Sequence, residues 1–516
     1  MPDIRVGVVS GASSTDAVAI DGRHRIVAST TVPAGPDGSG AGIAAAIGAL
    51  VDDGVDPSRV RWVTLGTGRE RRNVVAAHGV RKVAVIRIGA PLTLAVPPLA
   101  TWPDALRDEV CAGAIVVRGG AEYDGRPVSA LDTDAVAAFL GALGGSVDAV
   151  AITGVFSPVA PEQEAAAAAV TRRRLGPAVH VSMSHEIGSI GLLERENATV
   201  FNAALAGGTA RLAALLRAAT AEHAIDAELF FTQNDGTLMA VEHALRFPAL
   251  MIAAGPGMSM RGAAQLSGVG DAVVVDVGGQ STSVGVLVSG VPRERTGSTD
   301  IAGVRTSLRL PDARHVPVGV GSVVALDSGE VAIGPASIGF DLAGRALAFG
   351  GTLATVADAA VAGGRVALGS HDVQGAARRG LARALKRVDE DLAVAVERAT
   401  AGRAVTPLVV VGAGHWLVPD ELGGASEVIR PPDGALAHAI GAAMALVSGQ
   451  AERICPRRPD RRRAALEEAR AAALARAIDA GADPASVEVS EVEEVPLTHL
   501  LRPALRIRVR AVGPPA

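Results

Sequence analysis

At 516 residues, with 49% hydrophobic and 20% charged side chains, the chain exceeds one compact core and reads as a globular protein of two or three domains. A formal charge of −5 excludes a dominant nucleic-acid surface, and Lys82 and Lys386 are the only lysines, so a phosphate ligand would meet backbone amides, hydroxyls or arginine. Cys111 and Cys455 give no disulfide framework, no secretion signal opens the chain, and no uninterrupted apolar run nears the ~20 residues that span a bilayer; a cytoplasmic protein with no membrane or nucleic-acid partner is expected.

Aromatic residues are only 2%, so the core is built from Ala, Val, Leu and Ile, which suits parallel and mixed sheets flanked by helices. The first element, Val6–Asp21, reads as strand, small-residue turn, strand. Val83–Ile88 and Ala149–Thr153 follow as buried strands, with Ala135–Leu143, Glu162–Leu175 and Leu205–Ala221 as helices. Then come the strand Val273–Val277, the helix Leu381–Thr400 and the strand Leu408–Val411. This alternation predicts an α/β class. Domain bounds are expected at 1–190 for a first lobe, 191–225 for a helical crossing segment and 226–450 for a second lobe. The remaining 451–516 is expected as a small α+β appendage, with helix Arg461–Ala480 and strands Val487–Val492 and Ala504–Val512. Glu467 and Glu468 make the Arg-rich start of that helix a solvated face.

An internal repeat carries more information. Val6-Gly-Val-Val-Ser-Gly-Ala-Ser-Ser-Thr-Asp16 aligns without a gap on Val273-Val-Val-Asp-Val-Gly-Gly-Gln-Ser-Thr-Ser283. Val9 then falls on Asp276, Gly11 on Gly278, Ser14 on Ser281, Thr15 on Thr282 and Asp16 on Ser283. Glycines and hydroxyls between two strands bare N–H groups in a concavity suited to phosphate. One copy at the head of each half is the pattern of a duplicated nucleotide clamp; no G-x-x-x-x-G-K-[ST] loop is present.

Single residues have two readings. Asp276 ends a strand before Gly278-Gly279, as a metal or phosphate ligand or as a turn cap. Asp16 stands in an apolar strand and needs a partner or a ligand. Asn234-Asp235-Gly236 is a turn tripeptide or a substrate contact, Glu194–Arg195 a helical charge pair or a site, and Asp358 a site candidate before a helix. His180 and His185 flank a short strand with no third ligand near in sequence, and read as structural.

Several segments together resemble the hydantoinase/oxoprolinase A-type family, in its short standalone branch, over nearly the full length. They are Gly191-Leu-Leu-Glu-Arg-Glu-Asn-Ala-Thr-Val-Phe-Asn-Ala-Ala-Leu205, Thr232-Gln-Asn-Asp-Gly-Thr-Leu-Met239, Ala254-Gly-Pro-Gly-Met-Ser-Met-Arg-Gly-Ala-Ala264, Asp276-Val-Gly-Gly279 and Ala439-Ile-Gly-Ala-Ala443. The resemblance implies an actin-like ATPase fold with ATP and Mg between two lobes. It implies opening of a small cyclic amide (a hydantoin, oxoproline-like lactam or imide) through carbonyl phosphorylation. A B-type hydantoinase subunit and a homo- or hetero-oligomer are further implications. Carried onto this sequence, Asp16, Asp276, Asn234, Asp235 and Asp358 take catalytic roles, and Asp276 and Asp16 hold the metal. Gly11, Ser13, Thr15, Gly66, Thr67, Gly278, Gly279, Ser281, Thr282, Gly412 and Gly414 bind the nucleotide.

The chain departs from the family pattern Asp-x-Gly-Gly-Thr-x-Thr-Asp in both hairpins. The first has Val9 for the leading Asp and Ala12 for the second Gly; the second has Gln280 for Thr and Ser283 for the closing Asp. Arg69 stands where His is expected, and the late glycine turn ends in His415. Because Mg²⁺ sites rely on carboxylates and waters, these losses predict weak or absent turnover, a nucleotide-binding or partner subunit being the alternative function.

Overall fold

The computed structural model describes residues 3–11, 14–33, 41–67, 79–188, 190–295, 297–326, 331–373, 376–400, 406–497 and 503–516. Ile4–Ser10 and Ser14–Asp21 pair antiparallel, with Val9 opposite Asp16 and Ser10 opposite Thr15. Ala272–Val277 and Thr282–Val288 pair in the same way, with Asp276 opposite Ser283 and Val277 opposite Thr282. In each hairpin the first strand is flanked on its other side by a parallel strand, Val60–Thr67 in one case and Thr406–Val411 in the other. The two hairpins lie in different sheets, so the gap-free sequence repeat is a structural repeat.

The first hairpin belongs to a nine-stranded sheet and the second to a six-stranded one; both mix parallel and antiparallel pairs, and the chain is α/β. Sheet membership departs from the expected segmentation. Glu228–Thr232 and Leu238–Ala240, expected to open the second lobe, are strands of the nine-stranded sheet. Val447–Pro456, Glu488–Leu497 and Ala504–Gly513 complete its far edge, so the expected appendage is a sheet extension. The reason is apolar area: Ala465, Ala469, Ala473 and Ala477 line one stripe of helix Pro459–Asp479 and join the same core as Ile507 and Val509.

Residues 83–183 form a separate four-stranded parallel sheet, Cys111–Arg118, Val83–Ala90, Ala149–Gly154 and His180–Met183. Its strands are apolar on both faces because both are covered. Ile86 and Ile88 meet the helices Thr133–Leu143 and Glu162–Leu175, while Val83 and Val85 meet the 31-residue helix Leu192–Glu222. That helix is long and apolar enough to cross a membrane by length and composition, with 61% of the relevant window buried in the protein.

Between the two hairpin-bearing sheets lie two crossing helices, Ala254–Ser267 and Ala437–Met444. Met258 packs with Val9 and Val18 of the first hairpin, and Met260, two residues on and so on the other side of the helix, packs with Val274 and Leu287 of the second. Glycine permits the approach. A Cβ on Gly262 would collide with Ala437 O, one on Gly441 with Met258 O, and one on Gly7 with Ala439 O. Gly262→Val should therefore cost at least about 3 kcal/mol of unfolding free energy in urea melts, with Gly268→Ala, at a helix end open to solvent, as the milder comparison.

Candidate functional site

Both hairpin turns close alike: Gly11 N–H donates to Ser14 O at 2.8 Å, and Gly278 N–H to Ser281 O at 3.0 Å. Gly11, Gly278, Gly279 and Ser281 are half-buried, while Thr15 and Thr282 are buried. Ser13 and the segment carrying Arg69, Arg71 and Arg72 lie outside the described residues. The Thr282 hydroxyl donates to Val318 O at 2.7 Å, which anchors the hairpin to the next segment. That segment, Gly319-Val-Gly-Ser322, runs across the turn: Val320 N–H donates to Gly278 O at 3.1 Å and Gly321 N–H to Gly279 O at 2.8 Å. A Cβ on Gly319 would lie 2.6 Å from Gly278 O and from Gln280 N, so glycine here permits close packing of the segment on the turn.

Gly412, at φ +89°, lies against Asp276, where a Cβ would fall 2.5 Å from Oδ1 and 2.6 Å from Val277 O. Gly414 donates its N–H to Val277 O at 2.9 Å and fits between Val277 and Val320 side chains. The late glycine turn is thus seated beside the second hairpin. Gly66 is different: Met258 Sδ would overlap a Cβ there, so this glycine serves the seam helix, beside buried Thr67.

His438 was not singled out by sequence. It precedes the Ala439-Ile-Gly-Ala-Ala443 segment, and an imidazole inside an alanine run was the available signal. Its Nε2 lies 3.1 Å from Asp276 Oδ2, and Asp16 of the other hairpin is near enough to act on its charge. Burial opposes the imidazolium, but Asp276 and then Asp16 outweigh it and raise its pKa above the ordinary value. Burial also raises the Asp16 carboxyl, offset only in part by a 2.9 Å hydrogen bond from Thr31 Oγ1 and by the charge of His438.

The expected metal role of Asp16 and Asp276 does not fit this arrangement. Asp276 Oδ2 faces His438, and Oδ1 is buried without a hydrogen-bond partner under Gly412. Val9, opposite Asp16, is buried among Met258, Ile440 and Ala443 and offers no oxygen. Among the described residues no three His, Cys, Asp or Glu side chains are grouped to hold a metal ion. Asp276 meets an imidazole, and Asp16 the Thr31 hydroxyl, where a Mg²⁺ ion was expected.

Other expected site residues make scaffold contacts, and of these Asn234 and Asp235 also line a cavity. Asp358, expected as catalytic, caps a helix: Oδ1 accepts from Ala348 N–H at 2.7 Å, and Oδ2 from Thr355 N–H at 2.8 Å and its hydroxyl at 2.7 Å. Asn234 holds the chain at 249–253, donating to Ala249 O at 3.1 Å and accepting from Ala253 N–H at 2.8 Å. Asp235 Oδ1 accepts from Thr237 N–H at 3.0 Å; burial would raise this carboxyl, but Arg510 and Arg261 hold it below the usual range. Arg195 donates to Ser184 Oγ at 2.8 Å and Ile190 O at 2.8 Å, and Glu196 takes Arg87 in two hydrogen bonds of 2.6 Å, both side chains fully buried. His185 Nδ1 lies 2.6 Å from buried Glu164, and His180, its pKa lowered to about 4 by burial and Arg81, faces Ser182. Both histidines are structural in this arrangement.

A cavity of about 240 Å³ opens beside the 232–239 segment, lined among others by Gln233, Asp235, Arg309, Gln450 and Arg508. The chain's last strands supply one of its walls, a contribution hidden while they are read as an appendage.

Sequence comparison matches the hydantoinase/oxoprolinase family over residues 195–402 and the hydantoinase/oxoprolinase N-terminal region over residues 5–175. No curated protein matches the sequence significantly. Among solved structures, ATP-dependent caprolactamase from Pseudomonas jessenii superposes with a TM-score of 0.77 at 19% identity, covering 99% of this chain and 87% of the other. The nucleotide-free acetone carboxylase structure, from work on ATP-dependent acetone carboxylation, gives a TM-score of 0.74 at 16% identity, covering 100% and 88%.

Two outcomes follow from this geometry. Asp276→Asn should bring the His438 pKa down, as read from its imidazole carbon signals in pH-titrated NMR spectra. Because the folded pKa is raised, its stabilisation is fully present below the ordinary value of about 6.5 and lost as pH rises through the folded value. The stability gap between wild type and Asp276→Asn should therefore be wider at about pH 5.5 than at about pH 8.5. Glu196→Ala, which strands a fully buried Arg87, should cost about 3–5 kcal/mol in equilibrium unfolding.

Proposed function

The chain belongs to the hydantoinase/oxoprolinase family, and from that premise we propose that it is the ATP-handling subunit of an enzyme that opens a small cyclic amide by hydrolysis. The supporting observation is the pair of equivalent glycine hairpins on separate sheets, the second with the Gly412 turn at its side. In this reading the fold is of the actin-like ATPase kind, phosphates lie against Gly11, Gly278, Gly279 and Ser281, and the adenosine approaches Gly412.

An amide carbonyl is a poor electrophile, and ATP, once bound, supplies the phosphoryl group that converts its oxygen into a better leaving group. The chain's task is positional: turn amides and hydroxyls hold the phosphates, and the helix pair fixes one hairpin relative to the other. We place the ring in the cavity lined by Gln233, Ser307, Arg309, Gln450 and Arg508, whose amide and guanidinium donors suit an amide oxygen. Two solved relatives in fold are ATP-dependent enzymes, one named for a lactam, which agrees with this class of reaction. The protein acts in the cytoplasm, in an oligomer with a B-type subunit that contributes to ring hydrolysis.

A second reading is favoured by Val9 and Ser283: a catalytically weak member that binds nucleotide within a complex. Titration of the purified chain with ATP tests the common ground. Ser281→Glu, which sets a carboxylate in the second turn, should weaken ATP binding at least about tenfold. Lactam- or hydantoin-dependent ADP release should be near background for the isolated chain and rise on reconstitution with the partner; an isolated chain that turns over fully overturns the subunit reading, and reconstitution without turnover favours the second. A chain that binds no ATP at millimolar concentration overturns both.

A further inference from the structure

We propose that Asp235 and Ser307 read the substrate's amide, Asp235 accepting the ring N–H and Ser307 donating to the ring carbonyl, so that the chain selects an uncharged cyclic amide with a free N–H. The inference rests on the placement of the ring in this cavity and adds to it the groups that recognise the amide and the rings that are refused.

Two unpaired oxygens carry the assignment. Asp235 and Ser307 both line the cavity of about 240 Å³, and each has a buried side-chain oxygen without a hydrogen-bond partner, Oδ2 and Oγ respectively. Such atoms are costly unless a ligand completes them. The other half of the Asp235 carboxylate is committed: Oδ1 accepts from Thr237 N–H at 3.0 Å and from its hydroxyl at 2.5 Å, which fixes the group and leaves Oδ2 as the open acceptor. Arg510 Nη2 stands 3.8 Å from Oδ2, beyond hydrogen-bond distance, and is bound to Glu294. Ser307 follows the strand Val304–Thr306, and its N–H donates to Glu194 O at 3.1 Å. Glycine at 188, where a Cβ would fall 2.6 Å from Ser307 Oγ, leaves the hydroxyl room. An ionised carboxylate only accepts, whereas a hydroxyl can donate. A small lactam ring holds its amide cis, with N–H and C=O along one edge, and so offers a donor for Asp235 beside an acceptor for Ser307. N-alkylation removes that donor and leaves Oδ2 unpaired in the complex.

Charge narrows the class further. Each guanidinium lining the cavity already has an acceptor. Arg309 lies 2.6 Å from Glu294, Arg246 3.1 Å from Asp479 and Arg508 3.4 Å from Glu452, while Arg476 donates to Gln450 O at 2.7 Å. Their remaining N–H groups suit a neutral oxygen. A substrate carboxylate would instead enter beside Asp235, Glu452 and Asp479, which line the same cavity, and would be repelled by them. Neutral lactams, imides and hydantoins are therefore favoured over ring acids of the oxoproline kind.

The test uses the full chain with a non-hydrolysable ATP analogue present. Binding of 2-pyrrolidone, ε-caprolactam and hydantoin, each against its fully N-methylated counterpart, and of 5-oxoproline is measured by calorimetry or ligand-observed NMR. Wild type, Asp235→Asn and Ser307→Ala are compared, with the melting temperature of each recorded. Wild type should bind at least one N–H ring at least about tenfold more tightly than its methylated counterpart, and 5-oxoproline at least about tenfold more weakly than that ring. In Asp235→Asn, Thr237 keeps the amide oxygen and turns the NH₂ toward the ring; affinity for the N–H ring should fall at least about tenfold and the preference over the methylated ring should vanish. Ser307→Ala should weaken both members of a pair alike and leave the preference intact. A methylated ring that binds within about threefold of its parent, 5-oxoproline as the tightest ligand, a folded Asp235→Asn that keeps the preference, or a Ser307→Ala that binds as wild type does overturns the inference and leaves the proposed function standing. If Asp235→Asn does not fold, the wild-type pairs and Ser307→Ala decide alone. If wild type binds the ATP analogue but none of the rings, the inference and the placement of the ring fall together while nucleotide binding stands.

Discussion

Everything in this fold that concerns ligand hangs on one steric constraint: two helices crossing at backbone distance between two sheets. Alanine at Gly262 or Gly441 would push the helices apart, because the hypothetical Cβ atoms already overlap carbonyl oxygens of the facing helix. Interiors are packed densely enough that such a shift propagates rather than being absorbed. The distance between the hairpins is therefore set by Gly262, Gly441 and Gly7 together with Met258 and Met260, whose side chains occupy opposite sides of one helix. Methionine adapts to irregular gaps, which suits a helix that must fit two different sheet surfaces within one turn.

The 191–205 segment, which carries much of the family resemblance, works at a distance from this seam. Arg195, Glu196, Asn197 and Asn202 are all buried, and each binds a separate part of the chain: the Gly154 turn, Arg87 beside the 96–97 carbonyls, Trp102 with Arg305 O, and Arg246 O with the Ala249 amide. Buried charges demand complete hydrogen bonding, and here just over two helical turns hold four distant segments. A recognisable sequence pattern is thus an architectural one. Its recurrence in a family says that this sheet and helix are held in the same way, and it says little about which bond is broken.

Legibility in the sequence followed the range of the forces involved. The hairpins were readable because apolar strands around a glycine turn are local, and the positions that the gap-free repeat aligns occupy equivalent places in the two pairings, Val9 with Asp16 and Asp276 with Ser283. The membership of Val447–Pro456, Glu488–Leu497 and Ala504–Gly513 in the first sheet was not readable, since a strand pairing across more than 200 residues leaves no local mark. Asp358 reads as a site residue in the sequence because a carboxylate caps a helix and binds a ligand with the same atoms; only the identity of its partners, Ala348 and Thr355, separates the two uses. His438 was invisible for the opposite reason, a lone histidine in a helical alanine run carrying no spacing signal.

Each hairpin carries one acid at its paired strand end, and the two are at non-equivalent positions: Asp16, opposite Val9, closes the first, and Asp276, opposite Ser283, leads the second. Had both acids stood on one hairpin, they would have been side by side there, repelling one another with no cation between the sheets. The crosswise placement instead leaves one acid on each side of the seam, Asp16 and Asp276, separated by the helix that carries His438. Each carboxylate then favours the charged imidazole, and the imidazole offsets part of the cost of keeping Asp16 ionised where it is half-buried. A valine is tolerated at position 9 because Met258 and Ile440 already make that strand end apolar, and a serine at position 283 because its hydroxyl meets His315 Nδ1 at 3.2 Å. Val9 and Ser283 are therefore each consistent with their local packing, the one apolar and the other hydrogen-bonded.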